Sequence, residues 1–320
     1  MAHDRPFRFA VHSSDAPDGP GWVAKARRIE ELGFSTLMLR DHFDRQYGPI
    51  AAMAAAAAVT SRLRVGCLVF DNDYRHPLVL AKELATIDVL SGGRLEVGLG
   101  AGWMAPDYEQ AGIPFDDPGV RVSRFEEAVR VVKGCFADGP FDFEGVHYTV
   151  RAHDAYPKPV QRPRPPLLVG GGGHRLLSFA AREADIVGLN PRRRSNAQWD
   201  DQNLPDATAE AADRKVGWIR EAAGARYPEV QISVIVPFVV VTDDRDGFAK
   251  TVAASLEGSA GDVDLSPDNV LASPYVLAGT VEEICASLAE RRERWDLSYV
   301  VFNDDALDAA APIVERLAGT

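Results

Sequence analysis

Short apolar runs alternate with longer amphipathic segments along nearly the whole chain. Eight of these runs have the length and the residue content of β-strands. They are Phe7 to Val11, Thr36 to Leu39, Leu63 to Phe70, Leu95 to Leu99, Leu167 to Val169, Ile186 to Leu189, Val230 to Val241 and Tyr299 to Phe302. The alternation predicts parallel strands joined by right-handed helical crossovers. Eight such units in 320 residues favour an α/β fold of the closed (β/α)8 TIM barrel class over an open doubly wound sheet.

Helical patterns lie between the predicted strands, and their starts and stops fit the capping rules. They are Gly21 to Leu32, Pro49 to Val59, Pro77 to Leu90, Ser123 to Phe136, His174 to Glu183, Asp206 to Ala223, Thr280 to Arg294 and Asp308 to Leu317. Residues 105–122, 141–166 and 242–278 exceed connector length, so we expect insertions after the fourth and seventh predicted strands. No break in composition marks a boundary, which predicts a single domain over residues 1–320.

The charge balance argues against several classes of partner. There are 47 acidic and 35 basic residues, and the resulting net charge of -12 disfavours binding to nucleic acid or to an anionic membrane surface. Cys67, Cys135 and Cys285 are far apart and form neither a disulfide framework nor a CxxC motif. The first residues lack the apolar core of a signal peptide, so a cytoplasmic protein is expected.

Polar residues follow nearly every predicted strand. In a barrel these positions meet at the carboxyl ends of the strands, where barrel enzymes build their active sites. They include His12 after the first strand, Asp41 and His42 after the second, Asp71 to Asp73 after the third, Asn190 after the sixth and Asn303 to Asp305 after the eighth.

His42 and Asp41 are the predicted catalytic residues. An imidazole has an unperturbed pKa of about 6.5 and therefore donates or accepts a proton at neutral pH. The alternative is a loop histidine that caps a neighbouring carbonyl group. No metal ligands are predicted, because the histidines show no HxH or HExxH spacing.

A run of four glycines, Gly170, Gly171, Gly172 and Gly173, stands between a predicted strand and a predicted helix. Consecutive backbone N–H groups can form an anion-binding nest there, at the positive end of the helix dipole, and Arg175 adds a full charge. The alternative is that the glycines only permit a tight turn. Four in a row exceed what a turn needs, so the segment is the predicted phosphate site.

A second glycine-rich turn follows the fourth predicted strand. It comprises Gly100, Ala101, Gly102 and Trp103. A dinucleotide-binding motif is formally matched here, but this interpretation is weak because Pro106 interrupts the helix that should begin at this point. We expect Gly100 and Gly102 to let a flat ring approach the backbone, with Trp103 as one wall. Trp103 can alternatively belong to the core.

Together these stretches resemble the luciferase-like monooxygenase superfamily, and more closely its branch of deazaflavin-dependent oxidoreductases. The resemblance is carried by LMLRDHF, RLRVGCLVF, SGGRLEVGLGAGW, PKPVQRPRPPLLVGGGGHRLL and LAGTVEEICASL, in that order. It covers nearly the whole chain. The fold that it implies is a (β/α)8 barrel of the bacterial luciferase-like type.

The resemblance also implies a site. A reduced deazaflavin or flavin would lie at the barrel mouth, its phosphate held by the four glycines. A bulge with a non-prolyl cis peptide would support the ring and would fall at Leu68, Val69 and Phe70. The Asp-His pair maps onto Asp41 and His42, with the histidine exchanging a proton beside the reacting carbon. Some deazaflavin sugar dehydrogenases carry a glutamate at the position of Trp103. This chain lacks that glutamate, which puts sugar-phosphate oxidation in doubt.

The implied function is hydride transfer between coenzyme F420 and a small organic substrate. Its alternative is a monooxygenase that uses reduced FMN and oxygen and needs a separate reductase. A cofactor-binding protein without activity is a third possibility, and the presence of both His42 and the glycines argues against it. Family members commonly pair through helices, so a homodimer is expected, with Ala51 to Val59 as a suitable face. Arg192, Arg193 and Arg194 can reach an anionic cofactor tail or substrate, or they can form a solvated loop.

Overall fold

The computed structural model of the protein describes residues 5–192, 201–256 and 263–320. Strands occur at all the predicted places. In chain order they are β1 (Arg8–Ser13), β2 (Thr36–Leu39), β3 (Arg64–Cys67), β4 (Phe70–Asp71), β5 (Leu95–Gly100), β6 (Phe141–Glu144), β7 (Thr149–His153), β8 (Leu167–Gly171), β9 (Ile186–Leu189), β10 (Gln231–Val236), β11 (Phe238–Val241), β12 (Val276–Gly279) and β13 (Leu297–Asn303).

Helices connect most of these strands. In chain order they are α1 (Gly19–Glu31), α2 (Pro49–Val59), α3 (Pro77–Ser91), α4 (Ala105–Ala111), α5 (Pro118–Phe136), α6 (His174–Glu183), α7 (Ala209–Ala223), α8 (Arg245–Ser255), α9 (Pro267–Ala272), α10 (Val281–Trp295) and α11 (Leu307–Leu317). Among the helices of the described ranges, none combines the length and the apolar content that a bilayer span requires.

The chain divides into two compact units. The first is built from residues 1–12, 31–35 and 170–320, of which 5–12, 31–35, 170–192, 201–256 and 263–320 are described. The second is built from residues 13–30 and 36–169. The single domain expected from the sequence stays a prediction.

The first unit contains a parallel sheet in which β1, β13, β10 and β9 are successive neighbours. Its register runs from Arg8 opposite Tyr299 to His12 opposite Asn303. Every residue of β13 before Asn303 is buried, as expected for a strand that is covered on both faces. A separate parallel pair is formed by β11 and β12.

The second unit contains a parallel sheet in which β2 pairs with β3, β3 with β5, and β5 with both β4 and β8. An antiparallel hairpin of β6 and β7 lies within the proline-rich insertion and was not predicted. Its turn is held by Glu127 of α5, whose carboxylate accepts the backbone N–H groups of residues 146–148 at 2.8–3.1 Å.

Two predicted strands are broken in the structure. The predicted run Leu63 to Phe70 becomes β3 and β4, and the peptide bond between Leu68 and Val69, in the break, is cis. The predicted run Val230 to Val241 becomes β10 and β11. The break falls at Pro237, which has no N–H group to donate to a sheet.

Prolines also explain two corrections among the helices. The sequence predicted that Pro106 interrupts a helix, and this was wrong. Pro106 lies in the first turn of α4, where its missing N–H group is not needed. In the same way α5 begins at Pro118 rather than at Ser123. The start of α10 is as predicted, since Thr280 forms a capping box with Glu283.

Candidate functional site

Most of the predicted site residues belong to the second unit and follow its strands. They are Asp41 and His42 after β2, Leu68 and Val69 before β4, Phe70 in β4, Gly100 at the end of β5, and Ala101, Gly102 and Trp103 after β5. The first unit carries Gly170 to Gly173 and Arg175 at the end of β8 and the start of α6.

Asp41 is 5% exposed, and both of its carboxylate oxygens are occupied. The Arg75 guanidinium donates to Oδ2 at 2.7 Å and to Oδ1 at 2.9 Å, and the backbone N–H of Asp71 donates to Oδ2 at 3.0 Å. This ion pair ties the end of β2 to the turn after β4. The geometry argues against the predicted acid–base role of Asp41, because its lone pairs are already shared with a guanidinium and an amide.

His42 is fixed by a buried carboxylate. Its Nδ1 lies 2.6 Å from Oδ2 of Asp107, and the Tyr74 hydroxyl donates to the same oxygen at 3.0 Å. Because a carboxylate is an acceptor, this contact selects the tautomer with the proton on Nδ1 and leaves Nε2 for a ligand. The ring of Trp103 meets the imidazole edge to face, with 5.5 Å between ring centroids. The arrangement is that of an oriented proton donor or acceptor.

Asp107 and Tyr74 were not predicted as site residues. Asp107 lies in the first turn of α4, a helix that the sequence did not predict because Pro106 stands at its start. The available signal was the order alanine, proline, aspartate, which is typical of a helix start. Its spatial relation to His42, 65 residues away, is a product of packing.

Two of three neighbouring aspartates form ion pairs with arginines. Asp41 pairs with Arg75, and Asp73 accepts Nε and Nη2 of Arg124 at 2.7 and 2.8 Å. Asp71 is 7% exposed and accepts instead from the Tyr108 hydroxyl and the Asp73 backbone N–H, both at 2.9 Å. Burial raises the pKa of Asp71 to about 7, and the negative charges of Asp73 and Asp41 act in the same direction. In the described part of the chain, no three His, Cys, Asp or Glu side chains are arranged to hold a metal ion.

The cis peptide bond of Leu68-Val69 lies where the resemblance placed it. Val69 lies against β5, where its side chain occupies the position that a Cβ on Gly100 would take. The carbonyl oxygen of Cys67 does the same at Gly98, and the Tyr108 hydroxyl does so at Gly102, which has a φ of +76°. Contacts within the protein therefore require these glycines, and the contact of Gly100 and Gly102 with a ring stays a prediction.

The glycine run of the first unit differs from a nest. Gly170 and Gly171 continue β8, Gly173 is extended with φ -97° and ψ 150°, and none of the four has a positive φ. A Cβ on Gly172 would lie 2.5 Å from the backbone nitrogen of Arg192, and one on Gly171 would lie 2.8 Å from Leu176. None of the four glycines adopts the left-handed conformation that a nest uses, and Gly171 and Gly172 are packed closely against the chain. What remains for an anion is the amino end of α6.

Arg192 lies beside that helix end. Its guanidinium nitrogens are 3.7 and 3.8 Å from the position of a Cβ on Gly173, and no hydrogen bond or ion pair holds the guanidinium among the described residues. Its backbone N–H donates to Asp206, whose other contacts include the buried Lys215 ammonium at 2.7 Å. Lys215 also donates to the backbone oxygens of Asn190 and Asp206, at 2.8 and 3.0 Å. Arg193 and Arg194 lie outside the described residues.

The chain is similar to known proteins over most of its length. A family model described as luciferase-like monooxygenase matches residues 6–297. An FMNH2-dependent dimethylsulfone monooxygenase of Pseudomonas putida is 30% identical over 73% of this chain and 68% of its own length. An F420-dependent glucose-6-phosphate dehydrogenase of Kineococcus radiotolerans is 30% identical over 57% of this chain and 56% of its own length. The chain thus spans about half to two thirds of these two relatives.

The fold is shared with solved structures. The coenzyme F420 dependent tetrahydromethanopterin reductase from Methanopyrus kandleri aligns over 98% of this chain and 99% of its own, with a TM-score of 0.75 and 20% identity. The likeness confirms the predicted fold class, the (β/α)8 barrel of the bacterial luciferase-like type.

Proposed function

The chain belongs to the luciferase-like monooxygenase family, and on this premise we propose that it is an oxidoreductase that transfers a hydride between coenzyme F420 and a small organic substrate. The observation that carries the proposal is the His42 imidazole, held at Nδ1 by the buried Asp107 carboxylate. Hydride transfer to a double bond or from an alcohol needs one proton to be added or removed nearby, and a fixed imidazole provides it.

The residues present fit a phosphorylated cofactor. The amino end of α6 presents backbone N–H groups, and the Arg192 guanidinium beside Gly173 adds a positive charge. Phosphate oxygens accept hydrogen bonds from such donors. We assign the phosphate of the cofactor to Gly170, Gly171, Gly172 and Gly173, to Arg192, and to Arg175 in the first turn of α6. A bound deazaflavin supplies a hydride, whereas a reduced flavin also reacts with oxygen.

The protein's own residues then have separate tasks. His42 gives or takes the proton through Nε2, while Asp107 and Tyr74 keep its ring oriented. Asp41 and Arg75 hold the turn on which His42 stands. We assign contact with the ring of the cofactor to Leu68, Val69, Phe70, Gly100, Ala101, Gly102 and Trp103.

A monooxygenase that uses FMNH2 and oxygen is the second candidate. It is favoured by the dimethylsulfone monooxygenase relative, which aligns over 73% of this chain. This function would require a separate reductase to supply the reduced flavin. In both cases the partner in the reaction is a small molecule.

Two further points belong to the same proposal. Helix α2 consists only of proline, isoleucine, alanine, methionine and valine, and yet its Ala51, Ala55 and Ala58 are exposed, which supports a homodimer that covers them. A cytoplasmic location stays a prediction.

Cofactor titrations test the proposal. We expect coenzyme F420 to bind with a change in its absorption spectrum, and a His42→Ala variant to bind it within about twofold of wild type while turnover falls by at least about 100-fold. His147→Ala, a matched histidine removal on the hairpin, should keep turnover. Tight binding of FMN in place of coenzyme F420, with oxygen consumption once it is reduced, would select the monooxygenase. Full turnover by His42→Ala would remove the histidine from the mechanism.

A further inference from the structure

Arg40 directly precedes the Asp41-His42 pair, and strand geometry fixes the face on which it stands. Two steps earlier, Met38 contacts β3 so closely that a Cβ on Gly66 would lie 2.7 Å from its sulfur. The ladder between β2 and β3 continues to the end of the strand, since the Leu68 N–H donates to the Leu39 oxygen at 2.7 Å. Side chains two residues apart in a strand point to the same face. Arg40 therefore shares the face of Met38, and His42 follows two residues further on.

The opposite face of β2 carries different charges. Asp41 alternates with Arg40 and pairs there with Arg75. Cys67 is opposite Leu39 in the register. Burial raises the pKa of its thiol, the charge of Asp41 raises it further, and the charge of Arg75 lowers it. The ion pair of Asp41 thus belongs to the other side of the strand and does not serve Arg40.

Arg40 has no counterion in the described part of the chain. Its Nε atom is buried without a hydrogen-bond partner, and its guanidinium forms no hydrogen bond or ion pair with a described residue. Other arginines of the second unit contrast with it. Arg64 pairs with Glu96, the acid on the face of Arg40, at 2.7 Å, and Arg124 pairs with Asp73.

The acidic side chains near the end of β2 accept hydrogen bonds from groups other than Arg40. Asp107 accepts from His42 and Tyr74, and Asp71 accepts from Tyr108 and the Asp73 N–H. A partly buried guanidinium that lacks an anion is costly, and an anionic ligand offsets that cost.

We propose that Arg40 binds an anionic oxygen group of the substrate, a carboxylate, sulfonate or sulfinate. A guanidinium presents two parallel N–H donors that match such a group. Arg40 and His42 are two residues apart, a rise of about 7 Å along extended backbone, so a small molecule can contact both side chains. The substrate class is thus a small organic anion. This inference rests on the proposed function, because the anion is part of the molecule on which His42 acts.

The test titrates cofactor-saturated protein with benzoate and benzenesulfonate, and with neutral benzamide as the reference probe. Wild type should bind both anions more tightly than benzamide. Arg40→Gln should weaken the anions by about 10- to 100-fold, should leave benzamide unchanged and should keep cofactor affinity within about twofold. Arg45→Gln, an exposed arginine of the same turn, is the matched control and should change none of these values.

Arg40→Lys provides a second measurement if Arg40→Gln fails to fold. Lysine keeps the charge but loses the two-pronged geometry, so it should weaken the anions severalfold. Anion affinities equal to those of wild type overturn the proposal. So does a loss of cofactor affinity with the anions unaffected, because the arginine would then serve the cofactor.

The failure of the proposed function is distinguishable from this outcome. A wild-type protein that takes up neither coenzyme F420 nor FMN contradicts that function. The anion titration is then made on the protein alone, where loss of binding in Arg40→Gln still supports the arginine site and unchanged binding overturns it.

Discussion

Asp71→Asn is expected to make the protein more stable at alkaline pH than at acidic pH, relative to wild type. In the folded protein the pKa of Asp71 is raised from 3.8 to about 7. Between these two values the folded chain holds a proton that the unfolded chain has released. The free energy of unfolding of wild type therefore falls as the pH rises through this window, and the loss is complete above the folded pKa.

The magnitude follows from the width of the window. The shift spans about 3 pH units, and each unit corresponds to about 1.4 kcal/mol, so ionised Asp71 costs the fold about 4 kcal/mol. From pH 5 to pH 8 the free energy of unfolding of wild type should fall by about 3 kcal/mol because of Asp71. Asparagine cannot ionise, and it keeps an oxygen that accepts from Tyr108 and the Asp73 N–H. The difference between variant and wild type should therefore change by about 3 kcal/mol in favour of the variant across that range.

Urea unfolding followed by circular dichroism at pH 5, 6, 7 and 8 measures this difference. Asp44→Asn removes an exposed carboxylate in the segment after β2 and serves as the control, with no comparable trend. A difference between Asp71→Asn and wild type that stays constant from pH 5 to pH 8 would refute the reasoning, and so would a change of opposite sign. Either result would mean that Asp71 is ionised in the fold at no cost.

Other substitutions test the packing of the first unit by the same unfolding assay. Gly172→Ala should destabilise the protein by about 1–3 kcal/mol, because its Cβ would meet the backbone of Arg192 at 2.5 Å, and an unchanged unfolding midpoint would contradict this contact. Gly217→Ala, at an exposed position inside α7 with no atom within 4 Å of the new Cβ, should stabilise it by about 0.5–1 kcal/mol. Lys215→Met should cost about 3–5 kcal/mol, because it leaves the carboxylate of Asp206 without its buried partner, and a smaller loss than that of Gly172→Ala would argue against that ion pair.

Much of the fold could be predicted from the sequence because its strands and helices carry strong periodic patterns. The limits of β2, β9, α2 and α6 agree with the predicted ones. The resemblance placed a cis peptide bond at Leu68 to Phe70, although the apolar run itself gives no sign of a break there. The break at Pro237 was missed because a proline ends pairing without interrupting the apolar pattern.

The candidate site was predictable only in part. His42 was predicted because it directly follows a strand, which is a local feature. Its partner Asp107 lies on another element, and no pattern within one segment records a contact formed by tertiary packing. Lys215 was missed for the opposite reason. A lysine on an amphipathic helix is usually exposed, so its complete burial beside Asp206 has no sequence signal.

The glycines illustrate a different limit. The sequence interpretation gave the residues from Gly170 to Gly173 to a ligand, because four glycines exceed the needs of a turn. The structure gives Gly171 and Gly172 a packing reason of their own. Absence of a side chain looks the same in a sequence whether a ligand or the neighbouring backbone fills the space.

The contacts at Gly98 and Gly100 have a practical consequence for engineering. Since Cys67 and Val69 fill the volume beside these two positions, any larger residue there would disturb β5 before it altered selectivity. Trp103 is only partly buried, and its ring contacts the imidazole of His42 edge to face. A mutant library aimed at new reactants should therefore randomise position 103 and keep both glycines constant.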